Sequence, residues 1–188
     1  IPVYNEANRV ANVIDVVQTW NEKKELMVIN DGSTDQTLTV LKKFGRSIRL
    51  VSYRENRGKG YAVARGIERC KGSIVLLLDA DVVELTHKDL DLLVAPLKKK
   101  QAEMTLGLVR FWRLKMFGPL KEVTGERAFF RQAVMSHLRE MKKRGYGLEL
   151  LLNSIHRRKR VLNVDLPTVY IVDKFAKQSL LQALASYW

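Results

Sequence analysis

The sequence predicts an α/β protein, with a mostly parallel sheet and helices on both faces. Strand-like and helix-period segments alternate through the first hundred residues, the pattern of right-handed βαβ crossovers. Three of the strands run straight into carboxylates and turn formers: Ile1-Pro-Val-Tyr-Asn-Glu6, Val28-Ile-Asn-Asp-Gly-Ser-Thr-Asp35 and Ile74-Val-Leu-Leu-Leu-Asp-Ala-Asp81. At 188 residues and 46% hydrophobic, the chain can bury one sizeable core. Ligands of open α/β sheets bind outside the carboxyl ends of the strands. A row of acids at that edge is a place to hold a metal and a nucleotide.

The elements follow in order. Residues 1–4 read as a strand, and residues 7–20 as a helix with Val10, Val13, Ile14, Val17 and Trp20 on one stripe. A strand at 26–30 leads to Ser33 and Thr34, expected N-caps of a helix over 35–44 that carries Leu38, Leu41 and Phe44. A strand at 48–53 precedes a helix over 59–70, and a strand at 74–78 precedes a helix from Thr86 to Lys100 that Pro96 should kink or shorten. A strand at 104–109 ends this rhythm. Residues 110–123 are aromatic and basic and read as a connector; Gly125 opens a helix over 126–141, which Gly145-Tyr-Gly147 breaks. A helix over 148–158, short strands at 161–166 and 169–172 separated by Pro167, and an amphipathic segment over 174–188 complete the reading. One domain with two halves is expected: residues 1–110 bind the nucleotide, and residues 111–188 build the other side of the cleft. The chain opens without Met inside a strand and stops inside a helix-like pattern, so further residues are expected beyond Ile1 and Trp188.

The net charge is +13, concentrated at Lys98-Lys-Lys100, Lys142-Lys-Arg144 and Arg157-Arg-Lys-Arg160. Such runs favour helix C-termini, and together they could face anionic lipid headgroups, so peripheral contact with a membrane is an expectation. The runs are not interleaved with stacking aromatics, and acids at three strand ends would repel a polyanion; no nucleic acid is expected. A single cysteine, Cys70, excludes an internal disulfide and fits a reducing compartment such as the cytoplasm. No segment reaches the roughly 18 consecutive apolar residues that span a bilayer.

The strongest chemical signal is Asp79-Ala-Asp81. Alternate residues at a strand end project to one side, so two carboxylates can reach one hard cation, Mg²⁺ or Mn²⁺. Asp31 ends its strand in the same row and can accept a hydrogen bond from a base or ribose. In Asn56-Arg-Gly-Lys-Gly60 the glycines allow close backbone approach to phosphate, and Lys59 adds charge at a helix N-terminus. Neither Walker A spacing nor a Gly-x-Gly-x-x-Gly fingerprint is present. His156, beside Arg157-Arg158, reads as a surface residue.

Taken together, Ile-Pro-Val-Tyr-Asn-Glu, Val-Ile-Asn-Asp-Gly-Ser-Thr-Asp, Asn-Arg-Gly-Lys-Gly-Tyr-Ala and Leu-Leu-Asp-Ala-Asp resemble the family 2 glycosyltransferases of GT-A fold. The likeness is closest to the polyprenyl-phosphate sugar transferases, such as dolichyl-phosphate mannosyltransferase. It spans about residues 1–110 and continues more loosely through Thr124-Gly-Glu-Arg-Ala-Phe129 and Gly145-Tyr-Gly-Leu-Glu149. The resemblance implies that Pro2, Tyr4 and Glu6 line the nucleobase and ribose, with Asp31 on the base and Lys59 along the same pocket. It implies that Asp79 and Asp81 form the Asp-x-Asp pair, Asp81 being the more direct metal ligand. Gly125 and Glu126 would sit near the transferred sugar. Glu149 matches the acid that acts as general base in inverting members, although a Glu in a first helical turn is also favoured by the helix dipole. Where some relatives place a further metal-binding His, this chain has Tyr170 nearby.

The expected function is metal-dependent transfer of a sugar from a UDP- or GDP-sugar, with inversion by attack opposite the leaving group, to an acceptor such as a polyprenyl phosphate. Similarity to glucosyl-3-phosphoglycerate synthase elements keeps a small phosphorylated acceptor as the alternative. A non-catalytic basic module that binds nucleic acid or membrane is the alternative of another class.

Overall fold

β2 (Met27–Asp31) is the centre of the first sheet and is buried at all five positions, which accounts for its unbroken apolar start. The computed structural model describes residues 1–111, 114–115, 124–145 and 147–171. β1 (Pro2–Val3), β2 (Met27–Asp31) and β3 (Arg49–Tyr53) lie in that order and are parallel throughout. Pro2 pairs with Ile29, and Met27 through Asp31 pair with Arg49 through Tyr53, so three strand ends share one edge.

The second sheet holds β4 (Ile74–Leu77), β5 (Val82–Val83), β6 (Met104–Phe111), β7 (Leu114–Lys115), β8 (Arg127–Phe130) and β9 (Val161–Ile171). Its order is β4-β8-β6-β9-β5, with β7 beside β6. β6 and β9 are parallel, whereas β8 runs antiparallel to both β4 and β6. The first sheet is therefore wholly parallel, whereas the second combines the parallel β6–β9 pair with antiparallel pairs.

Strand alternation divides the core between two faces. Val28 and Leu78 pack with Val13, Ile14, Leu41, Leu90 and Leu93, from α1 (Val10–Thr19), α2 (Thr37–Lys43) and α4 (His87–Lys98). On the other face, Leu77, Leu106 and Phe129 meet Ile67, Met141 and Leu152, from α3 (Lys59–Arg69), α5 (Leu138–Met141) and α6 (Leu148–Ile155). Each buried leucine contributes about 1.5–3 kcal/mol. α4 begins at a capping box in which Thr86 accepts from Asp89 N and Asp89 Oδ2 accepts from Thr86 N at 2.9 Å. Pro96 falls in the last turn, and the helix runs on to Lys98.

Several sequence expectations are corrected. Residues 126–141 are not one helix: β8 occupies 127–130, a 3₁₀ stretch follows over 131–137, and only Leu138–Met141 is α-helical. Ala128 and Phe129 are fully buried and serve opposite core clusters, so the gap between β4 and β6 overrides local helix preference. Residues 161–171 form one strand rather than two. Leu108 pairs with Asp165 and Arg110 with Tyr170, so the extra residues, Pro167 among them, bulge out where no ladder N–H is needed. Ser33 and Thr34 do not cap α2. Ser33 Oγ accepts from Asn5 N at 3.0 Å, Thr34 N donates to Asn5 Oδ1 at 2.8 Å, and Asp35 Oδ1 accepts from Thr37 N at 2.9 Å. His156 is fully buried, against the surface expectation. The imidazole Nδ1 lies 2.8 Å from Leu152 O, because the last turn of α6 folds the ring inward towards Phe129. The connector expected over 110–123 and the amphipathic segment over 174–188 lie almost wholly outside the described residues.

Candidate active site

The carboxyl end of β4 and the first turn of α3 meet at one ion-pair network. Gly58, at φ +87°, turns the chain so that α3 starts at Lys59. Lys59 Nζ lies 2.6 Å from Asp79 Oδ1 and 2.9 Å from Asp79 Oδ2. It is also 2.7 Å from Glu149 Oε1, in the first turn of α6. Burial alone would lower the lysine pKa, but Asp79 and Glu149 outweigh it and hold the ammonium above the usual lysine range. A Cβ on Gly60 would lie 1.9 Å from Arg144 O, so the start of α3 is pressed against the chain leaving α5. Residues 60 sequence positions and more apart thus close one side of the site only in three dimensions.

Gly125 is set directly against the Asp79 carboxylate: an added Cβ would be 2.0 Å from Oδ2 and 2.5 Å from Cγ. Next to it, Glu126 is fully buried, and its Oε1 has no hydrogen-bond partner. Thr124 Oγ1 lies 2.7 Å from Gly107 O and 2.8 Å from Glu126 Oε2. One hydroxyl proton cannot serve two acceptors, so both contacts are satisfied when Glu126 carries a proton and donates to Thr124. The electrostatics agree. Burial, then the Asp79 charge and more weakly Asp81, push Glu126 up to about 7, against the lowering by Lys59 and Thr124.

This shift sets a pH dependence. A folded-state pKa raised above the ordinary carboxylate value contributes stability that is complete at low pH and is lost as pH rises through about 7. The metal-free protein should therefore lose about 2–3 kcal/mol of this contribution between pH 5 and pH 8. His156 acts in the opposite sense: burial lowers its pKa, so its contribution is lost as pH falls below the unfolded histidine value. Urea denaturation of the wild type and Glu126→Gln across this range isolates the carboxyl; identical slopes would show that Glu126 is ionised throughout.

The nucleotide-side candidates lie along the first sheet. Pro2 is buried in β1, Tyr4 is 44% exposed, and Glu6 Oε2 accepts from Arg9 at 2.8 Å. Asp31 is buried at the end of β2, where its Oδ1 accepts from Arg57 N at 2.8 Å. Through this bond the acid of β2 fixes the loop that delivers Lys59. Gly32, at φ +69°, has no room for a side chain, since a Cβ would lie 2.4 Å from Glu55 C. Asn5, at φ +54°, stitches the first loop to the second through Ser33 and Thr34 and was not singled out from sequence. Its signal was an Asn directly after a strand, a residue that tolerates the left-handed region.

Asp81 is 7% exposed and lies just before β5, whose Val83 pairs with Tyr170. The carboxylates supply hard oxygen donors suited to Mg²⁺ or Mn²⁺. Among the described residues, no group of three or more His, Cys, Asp or Glu is arranged to hold a metal alone. Such a set fits an ion that shares its shell with substrate phosphates and water, as Mg²⁺ commonly does. Both oxygens of Asp79 face Lys59. Arg127, also not singled out from sequence, lies fully buried behind the network. Its signal was a cation directly before the apolar run Ala128-Phe-Phe130.

A parallel sheet with acids at its strand ends, an Asp-x-Asp after β4 and a helix-start lysine facing it define the nucleotide-sugar-transferase class of α/β proteins, the GT-A fold. The chain belongs to the glycosyl transferase family 2, whose family model matches residues 1–146. It is 27% identical over 121 residues to dodecaprenyl-phosphate galacturonate synthase of Rhizobium johnstonii, covering 60% of this chain and 34% of that protein. It is 36% identical over 95 residues to a dolichyl-phosphate beta-glucosyltransferase of Dictyostelium discoideum, covering 43% and 29%. The chain spans about a third of the length of the curated relatives it matches. Among solved structures, glucosyl-3-phosphoglycerate synthase from Mycobacterium tuberculosis, in complex with Mn²⁺, UDP and glucosyl-3-phosphoglycerate, superposes with a TM-score of 0.78. That match covers 98% of this chain and 73% of the other at 23% identity, a likeness of fold.

Proposed function

We propose that this chain is the catalytic core of a metal-dependent glycosyltransferase that moves a sugar from a UDP- or GDP-sugar to a polyprenyl phosphate, with inversion. The observation that carries this reading is the Asp79–Lys59–Glu149 network, set at the strand ends beside Asp81. Pro2, Tyr4 and Glu6 line the base and ribose, and Asp31 takes a base N–H. Asp81 and Asp79 would hold Mg²⁺ or Mn²⁺, which would supply charge neutralisation for the leaving diphosphate. Lys59 adds a second cation to the same diphosphate.

Gly125 lets the Thr124–Glu126 backbone pack directly against the Asp79 carboxylate, at the edge where the sugar would sit. Protonated Glu126 donates to Thr124 through Oε2, which leaves its buried, unpartnered Oε1 to accept from a sugar hydroxyl. A phosphate acceptor arrives ionised and needs no base, so Glu149 positions Lys59 and the acceptor. With a hydroxyl acceptor, Glu149 would instead remove the proton as the sugar carbon is attacked opposite the diphosphate.

The relatives named for dodecaprenyl and dolichyl phosphate support the acceptor class, and work at the cytoplasmic membrane face follows from it. No helix among the described residues is long and apolar enough to cross a membrane. Two basic runs merge in the fold, since the Arg160 guanidinium donates to Lys100 O at 3.0 Å. That patch sits at the amino-terminal ends of β6 and β9, the edge opposite Asp79. Any contact it makes with an anionic membrane is therefore separate from acceptor entry.

Calorimetric titration of UDP- and GDP-sugars with Mn²⁺ and then with chelator tests the reading. One donor should bind only with metal, and Asp81→Ala should lose that binding and at least about 10³-fold in transfer while keeping its fold. Wild-type turnover in Asp81→Ala would sink the proposal.

A further inference from the structure

The two halves of the site are carried by separate elements: Gly125 and Glu126 lead into β8, and Glu149 lies on α6. One side chain joins them. Arg127 follows Glu126, and strand alternation sends it away from Ala128, towards the face covered by α6. There its Nε donates to Thr124 O at 3.1 Å, and Nη2 donates to the same carbonyl. Nη1 donates to Asn153 Oδ1 at 3.0 Å and to Glu149 O at 3.4 Å.

We infer that Arg127 is a positioning residue, a clamp whose fork fixes the Thr124–Glu126 segment relative to the first turn of α6 and so sets where Glu149 meets Lys59. Residues 149 and 153 are one helical turn apart and share a face, so a planar guanidinium can grip both while two of its N–H groups hold the β8 side. A lysine ammonium offers three donors from a single point and cannot bridge these diverging acceptors. Burial lowers the Arg127 pKa from the usual arginine range, and the Glu149 charge works against that lowering. The consequence is mechanical. A shift of about 1 Å in Glu149 would misplace Lys59 against the leaving diphosphate while Pro2, Tyr4, Glu6 and Asp31 stay where they are, an error worth about 10²-fold in rate.

This inference rests on the transferase reading, and its test separates the two. In steady-state assays with the preferred donor and Mn²⁺, Arg127→Lys should lower kcat about 10²-fold and Asn153→Ala about 10-fold. Donor KM and calorimetric Kd should stay within about twofold in both, as expected of misplacement rather than lost binding. Asn153→Asp, which keeps the acceptor oxygen, should restore kcat. Independently of turnover, the Glu149 side-chain ¹³Cδ resonance, assigned by its absence in Glu149→Gln, should shift in Asn153→Ala and return in Asn153→Asp. An unmoved resonance with wild-type kcat in Asn153→Ala overturns the clamp. So does a fall in kcat and donor affinity that merely tracks the loss of melting temperature. If the wild type transfers no sugar from any donor, the transferase reading fails, and the Glu149 resonance still decides whether the clamp exists. Should Arg127→Lys fail to fold, the Asn153 pair carries the test.

Discussion

Lys59→Met is expected to destabilise the protein by about 3–5 kcal/mol and to abolish sugar transfer. The ammonium is the shared cation of two carboxylates, at 2.6 Å from Asp79 and 2.7 Å from Glu149, with only 19% of its side chain exposed. Methionine fills much of the same volume but leaves two poorly solvated acids facing one another. Removing one partner of a buried ion pair is worth about this much, because the remaining charge is left uncompensated. Urea denaturation at pH 7 measures the loss. Adding Glu149→Gln should recover part of the stability, since the repulsion is then gone, but none of the activity. A single variant as stable as the wild type would mean that the network is solvated and weak, the ordinary fate of surface pairs.

Gly125→Ala is the second large effect. The new methyl would overlap the Asp79 carboxylate at 2.0 Å from Oδ2, far inside contact distance. Either the carboxylate leaves Lys59 or the Thr124–Glu126 backbone retreats. Overpacking of this kind destabilises by about 1–3 kcal/mol. The kinetic consequence should be larger, at about 10²-fold or more in kcat/KM, because every group that faces the sugar moves together. Steady-state kinetics with a fixed donor, alongside thermal denaturation, separate the two effects. Full turnover in Gly125→Ala would show that the transferred sugar and the reacting atoms lie elsewhere.

Much of the donor-binding half was legible before any coordinates. β2 and β4 are short apolar runs that end in acids, and the stripes of α1 and α3 are clear at helical spacing. Local pattern and tertiary demand agree there, as they do in sequences that fold consistently. The second half was harder. The residues of β8 read as part of a helix because helix and strand cannot be told apart over so short a run; only the vacancy between β4 and β6 chose. His156 was misplaced for a similar reason: four neighbouring cations suggested water, but the packing of α6 against Phe129 put the ring inside. Ser33 and Thr34 were correctly read as turn residues, yet their hydroxyls were claimed by Asn5 from another loop.

The sequence by itself determined the chemistry on offer: which strands end in acids, where glycine permits close approach, and which helix starts with a lysine. These depend on residue type and on spacing within a few positions, where backbone periodicity dictates geometry. Only the tertiary structure decided the pairings: Lys59 with Asp79 and Glu149, Gly125 against Asp79, Arg127 between Thr124 and α6, and the proton on Glu126. Each of these joins residues from different elements and draws its strength from burial. The low-dielectric interior that makes a charge costly alone and strong when paired exists only once the elements have packed.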